Sequence, residues 1–281
     1  MLATVSIATH QAQAPQVHRH ILGFTFQLPT GWSVKEREGT AIRLQFSGQG
    51  QEAHAIQIEP TAVKELLDEA TVNDFRNLIN DGWEIATEEK RSVKLGESAY
   101  VLLRKHTSEG SAWMSLQWAI TGGVRCIVVG GGPEAVRVKR DAALQKIFAS
   151  LTPTTRTLTA QEKKLQGEWT TKLRGARLVK SSAQTSGGGA GFGSMSSRTF
   201  YVLDGSGAYQ YDHKSIVSVD VPGLSSSHGD SDQDEGKWSV LVLGSQVCLR
   251  LDSAKGGGRL AELKAQGSRV LVDGVLYDVS R

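Results

Sequence analysis

Residues 151–159, LTPTTRTLT, split the chain into two stretches whose apolar residues repeat with different periods. Before the split, strand-like alternation is broken by two helical stretches. After it, apolar and polar residues alternate almost throughout, and glycine and serine punctuate the runs. With 281 residues the chain is long enough for two domains, each with its own core. The seam predicts a first domain at residues 21–154, a linker with a short helix at 155–164 and a second domain at 165–281. Residues 1–20 are expected to be disordered or the remnant of a signal peptide.

In the first stretch, Phe24, Phe26 and Leu28 alternate as one strand, and Pro29-Thr30-Gly31 turns the chain. Ile42, Leu44 and Phe46, then Ile56 and Ile58, mark further strands. The period then lengthens. Leu67, Phe75, Leu78 and Ile79 fall at helical spacing, with Thr71 and Asp74 placed as a capping pair and Gly82 as the stop. SAYVLLRKH, SAWMSLQWAI and VRCIVVGG read as a three-strand meander. Pro133 opens a second helix with Val136, Leu144, Ile147, Phe148 and Leu151 as its buried stripe, and Thr152-Pro153 ends it. Strands, helix, strands, helix argue an α+β fold: an antiparallel sheet with packed helices.

The motifs FTFQLPTGW, LGESAYVLL and KIFASLTP, with a tryptophan strand between, resemble the PsbP-like domains over residues 21–154. The resemblance implies an α/β/α sandwich and a non-catalytic role docked on a larger assembly.

In the second stretch, Thr159 and Glu162 form a capping box for the short helix TAQEKKL. Trp169 is expected to open a strand running through WTTKLRGARLV. Residues 181–197 are Gly/Ser-rich and are read as a mobile loop, and SSSHGDSDQDEG as a polar loop. Asp204-Gly205-Ser206-Gly207 is a hairpin turn. Phe200 and Val202, then Tyr209 and Tyr211, then Trp238, Val240 and Val242, then Val247, Leu249 and Leu251 alternate on successive strands, followed by LAELKA, RVLVDG and VLYDV. This is an all-β antiparallel meander, closed into a small barrel. LQGEW, TFYVLDGSGAY, EGKWSVLVLG and VLVDGVLY resemble bacterial lipocalin-like domains over residues 165–281. The resemblance implies a barrel whose interior sometimes holds an apolar ligand.

Candidate chemistry is sparse. Gly130-Gly131-Gly132-Pro133-Glu134-Ala135 joins strand to helix and fits a loose G-x-G-x-x-A. Such a junction can hold phosphate, but no βαβ unit follows, so a tight turn is the better reading. Asp230, Asp232 and Asp234 alternate ahead of Gly236, but the glycine is one position late for a calcium loop and Leu241 stands where its last ligand belongs. His18 and His20 share a strand face without a third ligand, and His10 lies in the N-terminal segment. His54, His106, His213 and His228 are scattered. Ser194 and Ser206 lie in loop sequence with no base positioned beside them, and no G-x-S-x-G is present. Cys126 and Cys248 read as buried free thiols. Trp169, Tyr209, Tyr211 and Trp238 form either barrel core or the lining of a ligand pocket. The residues thus assign no catalytic, cofactor-binding or metal site.

The net charge is only +3, and its densest basic clusters, KRSVK and VRVKR, are short, which excludes a concentrated nucleic-acid face. No apolar run reaches the roughly 20 residues of a membrane span. Ala12-Gln13-Ala14 matches a signal-peptidase site and predicts export to the periplasm or beyond, with a mature start at Pro15. The sequence predicts an exported, non-catalytic accessory or docking protein with a protein partner. A carrier of a small apolar ligand in the barrel is the alternative, and an enzyme of unknown type the second.

Overall fold

The computed structural model describes residues 16–281 except 39, 48–49, 51, 63–64, 67–75, 109, 189–190 and 222–223. Its first half holds two antiparallel sheets. β1 (Gln16–His20) pairs with β2 (Phe24–Leu28). Seven strands follow: β3 (Trp32–Glu38), β4 (Ala41–Phe46), β5 (Ala53–Pro60), β6 (Glu84–Val93), β7 (Gly96–Thr107), β8 (Gly110–Thr121) and β9 (Val124–Pro133). They form one sheet in the order β3-β4-β5-β9-β8-β7-β6. The helix α1 (Arg137–Ser150) then crosses this sheet, and the short strand β10 (Thr152–Pro153) returns to pair with β2.

Alternation in the sequence explains the layers. Phe24, Phe26 and Leu28 join Ile42, Leu44, Ile56 and Ile58 and the helix residues Leu144, Ile147, Phe148 and Leu151 in one buried cluster. Of the expected stripe, Val136 is only partly buried, because Pro133 caps a 3-10 turn (Glu134–Val136) that ends before α1 begins. On the opposite face Leu66, Leu78 and Trp83 pack against Val101, Leu103 and Trp118, and the Trp118 indole donates to the Leu66 carbonyl at 2.7 Å. Cover on both faces accounts for the unbroken apolar run of β7, where Ser98 to Leu103 are all buried.

Residues 76–80 are helical, and Gly82, at φ +85°, stops them. Ile79 departs from the expected stripe. It is 47% exposed, because its neighbour Leu78 takes the one position facing the sheet. Leu67, Thr71, Asp74 and Phe75 lie outside the described residues, as do His10 and the Ala12-Gln13-Ala14 motif. Residues 16–20, expected to be disordered, instead form β1. His18 stacks on Phe26 with ring centroids 5.3 Å apart, and His20 is buried.

The second half opens with α2 (Ala160–Leu173), whose Thr159–Glu162 capping box is present. Eight antiparallel strands follow: β11 (Ala176–Gly188), β12 (Gly191–Leu203), β13 (Ala208–Val221), β14 (Leu224–Leu243), β15 (Gln246–Ser253), β16 (Gly258–Gln266), β17 (Arg269–Val272) and β18 (Val275–Ser280). Pairing of β11 with β18 closes the barrel.

Three expectations are corrected here. Trp169 does not open a strand. Leu165, Trp169 and Leu173 recur every fourth residue, so α2 continues to Leu173 and lays this stripe into the barrel core. The Gly/Ser-rich stretch is not a loop but the facing ends of β11 and β12, in register from Ala176↔Leu203 to Gly188↔Gly191. The acidic stretch is likewise the first half of β14, paired with β13 from Val221↔Leu224 onward. A backbone ladder needs no apolar side chains once a neighbouring strand fixes its register.

Each half has its own buried cluster. A smaller cluster of Ile21, Cys248 and Leu260 joins them, and the Arg156 guanidinium donates to the Val242 carbonyl at 2.6 Å.

Candidate binding site at the barrel mouth

Opposed residues on neighbouring antiparallel strands share a face. Register therefore builds rows across β12, β13 and β14: Leu203–Tyr209–Gly236, Tyr201–Tyr211–Asp234 and Thr199–His213–Asp232. The first row belongs to the packed core. The next two climb to where β14 parts from β15, and there Tyr201, Tyr209, Tyr211, Asp232, Asp234 and Arg259 surround a cleft of about 440 Å3.

Hydrogen bonds fix most of the lining. The Tyr209 hydroxyl donates to Asp234 Oδ2 at 2.5 Å, and Ser253 Oγ donates to Asp234 Oδ1 at 2.6 Å. Burial opposes the charged form of Asp234, but these two donors prevail and its pKa lies below the usual aspartate value. Arg259 Nη1 donates to the Tyr201 hydroxyl at 3.0 Å, and Nη2 to Asp273 Oδ2 at 2.9 Å. Asp273 (φ 50°) and Gly274 (φ 75°) form the β17–β18 turn, which holds that carboxylate in place. The ring centroids of Tyr201 and Tyr211 lie 4.9 Å apart, and those of Tyr201 and Tyr277 5.8 Å. Burial, first of all, raises the pKa of Tyr201, Tyr209, Tyr211 and Tyr277, so all four stay protonated at neutral pH.

The four aromatic residues that could form core or pocket divide. Trp169 and Trp238 are core, and the Trp238 indole donates to the Asp204 carbonyl at 3.2 Å. Tyr209 spans core and cleft, and Tyr211 faces the cleft. Below the mouth the interior is filled by Leu178, Leu203, Val240, Val242, Leu249, Leu263 and the α2 stripe, which favours a packed core over an apolar chamber.

Other sequence candidates fall elsewhere. Gly130 to Gly132 do not form the expected tight turn: they are ladder residues of β9, all three paired with β8 and Gly130 and Gly131 also with β5, and they make no phosphate junction. Asp230 stays off the cleft, and among the described residues no group of three or more His, Cys, Asp or Glu could hold a metal ion. Ser206 Oγ donates to Asp204, Ser194 stands exposed on β12, and His106 meets Ser111 Oγ at 2.8 Å. His213 Nδ1 meets Thr199 Oγ1 at 2.8 Å, while the His228 side chain lies outside the described residues. Cys126 and Cys248 are free, and burial pushes both thiols up to about 12.

Two groupings escape sequence reasoning. Arg259 heads the inward stripe Arg259-Ala261-Leu263, and a charged residue leading an otherwise apolar alternation is the available signal. In the first half, His54 Nε2 meets Glu52 Oε2 at 3.1 Å, and Arg140 Nε on α1 meets the same oxygen at 2.5 Å. Burial, ahead of the opposing pull of Glu52, lowers the His54 pKa. Nothing in the linear sequence links α1 to the start of β5.

No family model matches the chain, and no curated protein does. Among solved structures, PsbP (CyanoP) from Synechocystis sp. PCC 6803 aligns with 53% of this chain and 98% of its own, at 15% identity and a TM-score of 0.38. A Bacteroides thetaiotaomicron protein aligns with 52% of this chain and 54% of its own, at 14% identity and a TM-score of 0.33. A Pseudomonas aeruginosa protein of unknown function aligns with 50% of this chain and 99% of its own, at 10% identity and a TM-score of 0.33.

Proposed function

We propose that this chain is an exported, non-catalytic accessory protein of two domains that docks a protein partner along the strands extending beyond its barrel. The observation that carries this reading is a pair of open strand edges. β11 pairs with β18 only across Arg177–Val179 yet continues to Gly188. β14 meets β15 only from Gly236 onward, so residues 224–235 pair with β13 alone. Among the described residues no strand pairs with either free side, although on β14 the Gln233 carbonyl accepts from Lys255 Nζ at 2.9 Å and the Glu235 carbonyl accepts from the Ala254 N–H at 2.8 Å. Such an edge is a template for an added strand.

The likeness of FTFQLPTGW and KIFASLTP to PsbP-like domains supports the same kind of role. Export rests on the Ala12-Gln13-Ala14 motif, and no helix among the described residues is long and apolar enough to cross a membrane. A photo-crosslinking residue at Ser182, on the open part of β11, tests the reading in the native host. One specific protein adduct is expected there and none from the same residue at exposed Lys164 on α2. Equal labelling at both positions, or none at Ser182, overturns it.

A further inference from the structure

We propose that the barrel-mouth cleft binds a neutral polyhydroxylated ligand, a sugar ring stacked on Tyr211. This goes beyond docking and depends on the cleft alone.

Four features converge. The volume of about 440 Å3 lies within the range of small-molecule sites. Tyr201 and Tyr211 supply aromatic surface, their rings inclined by 38°. A sugar has apolar C–H faces that suit such a surface and a rim of hydroxyls that does not. Both signs stand at the cleft: Asp232 and Asp234 line it with Lys255 and Arg259, and Asp273 pairs with Arg259 behind it. An anion meets carboxylates and a cation meets Lys255 and Arg259, whereas a neutral ligand with donors and acceptors finds a partner in either kind of group. Finally, the polar groups divide into engaged and unengaged. Asp234 is taken by Tyr209 and Ser253, Arg259 by Tyr201 and Asp273, and Lys255 by the Gln233 carbonyl. The Asp232 carboxylate and the Tyr211 hydroxyl have no hydrogen-bond partner among the described residues. One accepts and the other donates, as a pair of sugar hydroxyls requires.

The engaged groups make the site rigid before any ligand arrives, and the β15–β16 turn at its edge is buttressed from the first half, where Gly257 lies against Ala62. Rigid aromatic and charged walls lower the ordering penalty of binding.

The test uses the purified full chain with three probes: methyl β-glucopyranoside, N-acetylglucosamine and maltose. Choline and benzoate serve as cationic and anionic comparisons. Saturation-transfer NMR and titration should detect at least one sugar, with a dissociation constant on the order of 1 mM, and neither ion. Asp232→Ala and Tyr211→Ala should each weaken that sugar roughly tenfold or more, the scale of a lost hydrogen bond to a charged group or a lost stacking face. Asp232 is exposed, so its variant keeps the fold. Failure of all three sugars, binding of choline or benzoate in their place, or sugar binding unchanged in Asp232→Ala or in Tyr211→Ala overturns the proposal. None of these results bears on docking at the strand edges, which is read by crosslinking with a partner.

Discussion

Acidification should destabilise the first half through His20. This imidazole is 3% exposed, and its Nδ1 accepts the Leu22 backbone N–H at 3.2 Å. The neutral ring therefore carries its proton on Nε2, which is buried with no hydrogen-bond partner among the described residues. Protonation would put a second proton on the nitrogen that now accepts. Burial is the main force on the group, and the nearby Arg37 charge adds to it. The Thr40 backbone acts the other way, but no hydrogen bond of ordinary geometry joins it to Nε2. The pKa falls from 6.5 to about 4. Between these values the unfolded chain binds the proton and the folded chain refuses it. Stability is then full above about pH 6.5 and declines as pH drops toward 4. A gap of about 2.5 units at 1.36 kcal/mol each amounts to roughly 3 kcal/mol. Urea unfolding at pH 7, 5.5 and 4.5, followed by tryptophan fluorescence, reads this directly. Four of the six tryptophans, Trp32, Trp83, Trp113 and Trp118, lie in the first half. His20→Gln should lose stability at pH 7 and show a distinctly shallower decline toward pH 4.5. His18 and His54 titrate in both proteins and cancel from the comparison. Parallel declines in the two would refute the assignment.

Three further outcomes follow from local geometry. Gly130→Ala should destabilise by about 1–3 kcal/mol in thermal melts, because its Cβ would lie 2.3 Å from Leu144 Cδ1 and 2.6 Å from His54 Nδ1. Gly167→Ala should stabilise by roughly 0.5–1 kcal/mol, since Gly167 lies inside α2 and an added methyl there would meet nothing within 4 Å; no gain would argue against a helix there. Glu162 is held down to about 2 by the backbone N–H groups of Gly244 and Thr159 and by the Thr159 hydroxyl, with Arg156 adding its charge. Its contribution is present above the ordinary value of 4.5 and is lost as pH falls toward 2, so Glu162→Gln should flatten the melting temperature across that window.

Legibility follows periodicity. Where burial is one-sided the alternation is plain: Phe24, Phe26 and Leu28, or Val240 and Val242, face their cores as their spacing predicts. The α2 boundary is hidden because Trp169 opens a stretch, WTTKL, of residues that suit strands. The stripe that decides it, Leu165-Trp169-Leu173, gains its meaning only from a barrel to pack against. The Gly/Ser and acidic segments mislead for a related reason. Composition reports whether a segment can bury apolar area, not whether a neighbouring backbone will pair with it. The mouth is half visible. Tyr209 and Tyr211 stand out in the sequence, but Tyr201, Arg259 and Asp273 are brought together by cross-strand register, and register belongs to the closed barrel rather than to any one strand.

The open edges differ in how they are defended, and this sharpens the docking proposal. The outer strands of the seven-stranded sheet carry exposed charge: Glu84, Glu88, Glu89 and Lys90 on β6, and Glu36 and Arg37 on β3. Charges on an edge discourage unwanted strand pairing. The open half of β14 is protected in the same way, with Asp230 and Asp232 exposed. β11 is not. From Lys180 to Gly188 its sequence is KSSAQTSGG, with a single charge at its start and uncharged residues after it. Little charge therefore opposes an added strand there. The partner should therefore lie along β11, and a crosslinker at Ser182 should capture it while one at Ser231, exposed on β14, should not. Capture of the same partner in equal yield from Ser231 would mean that charge does not decide between the edges.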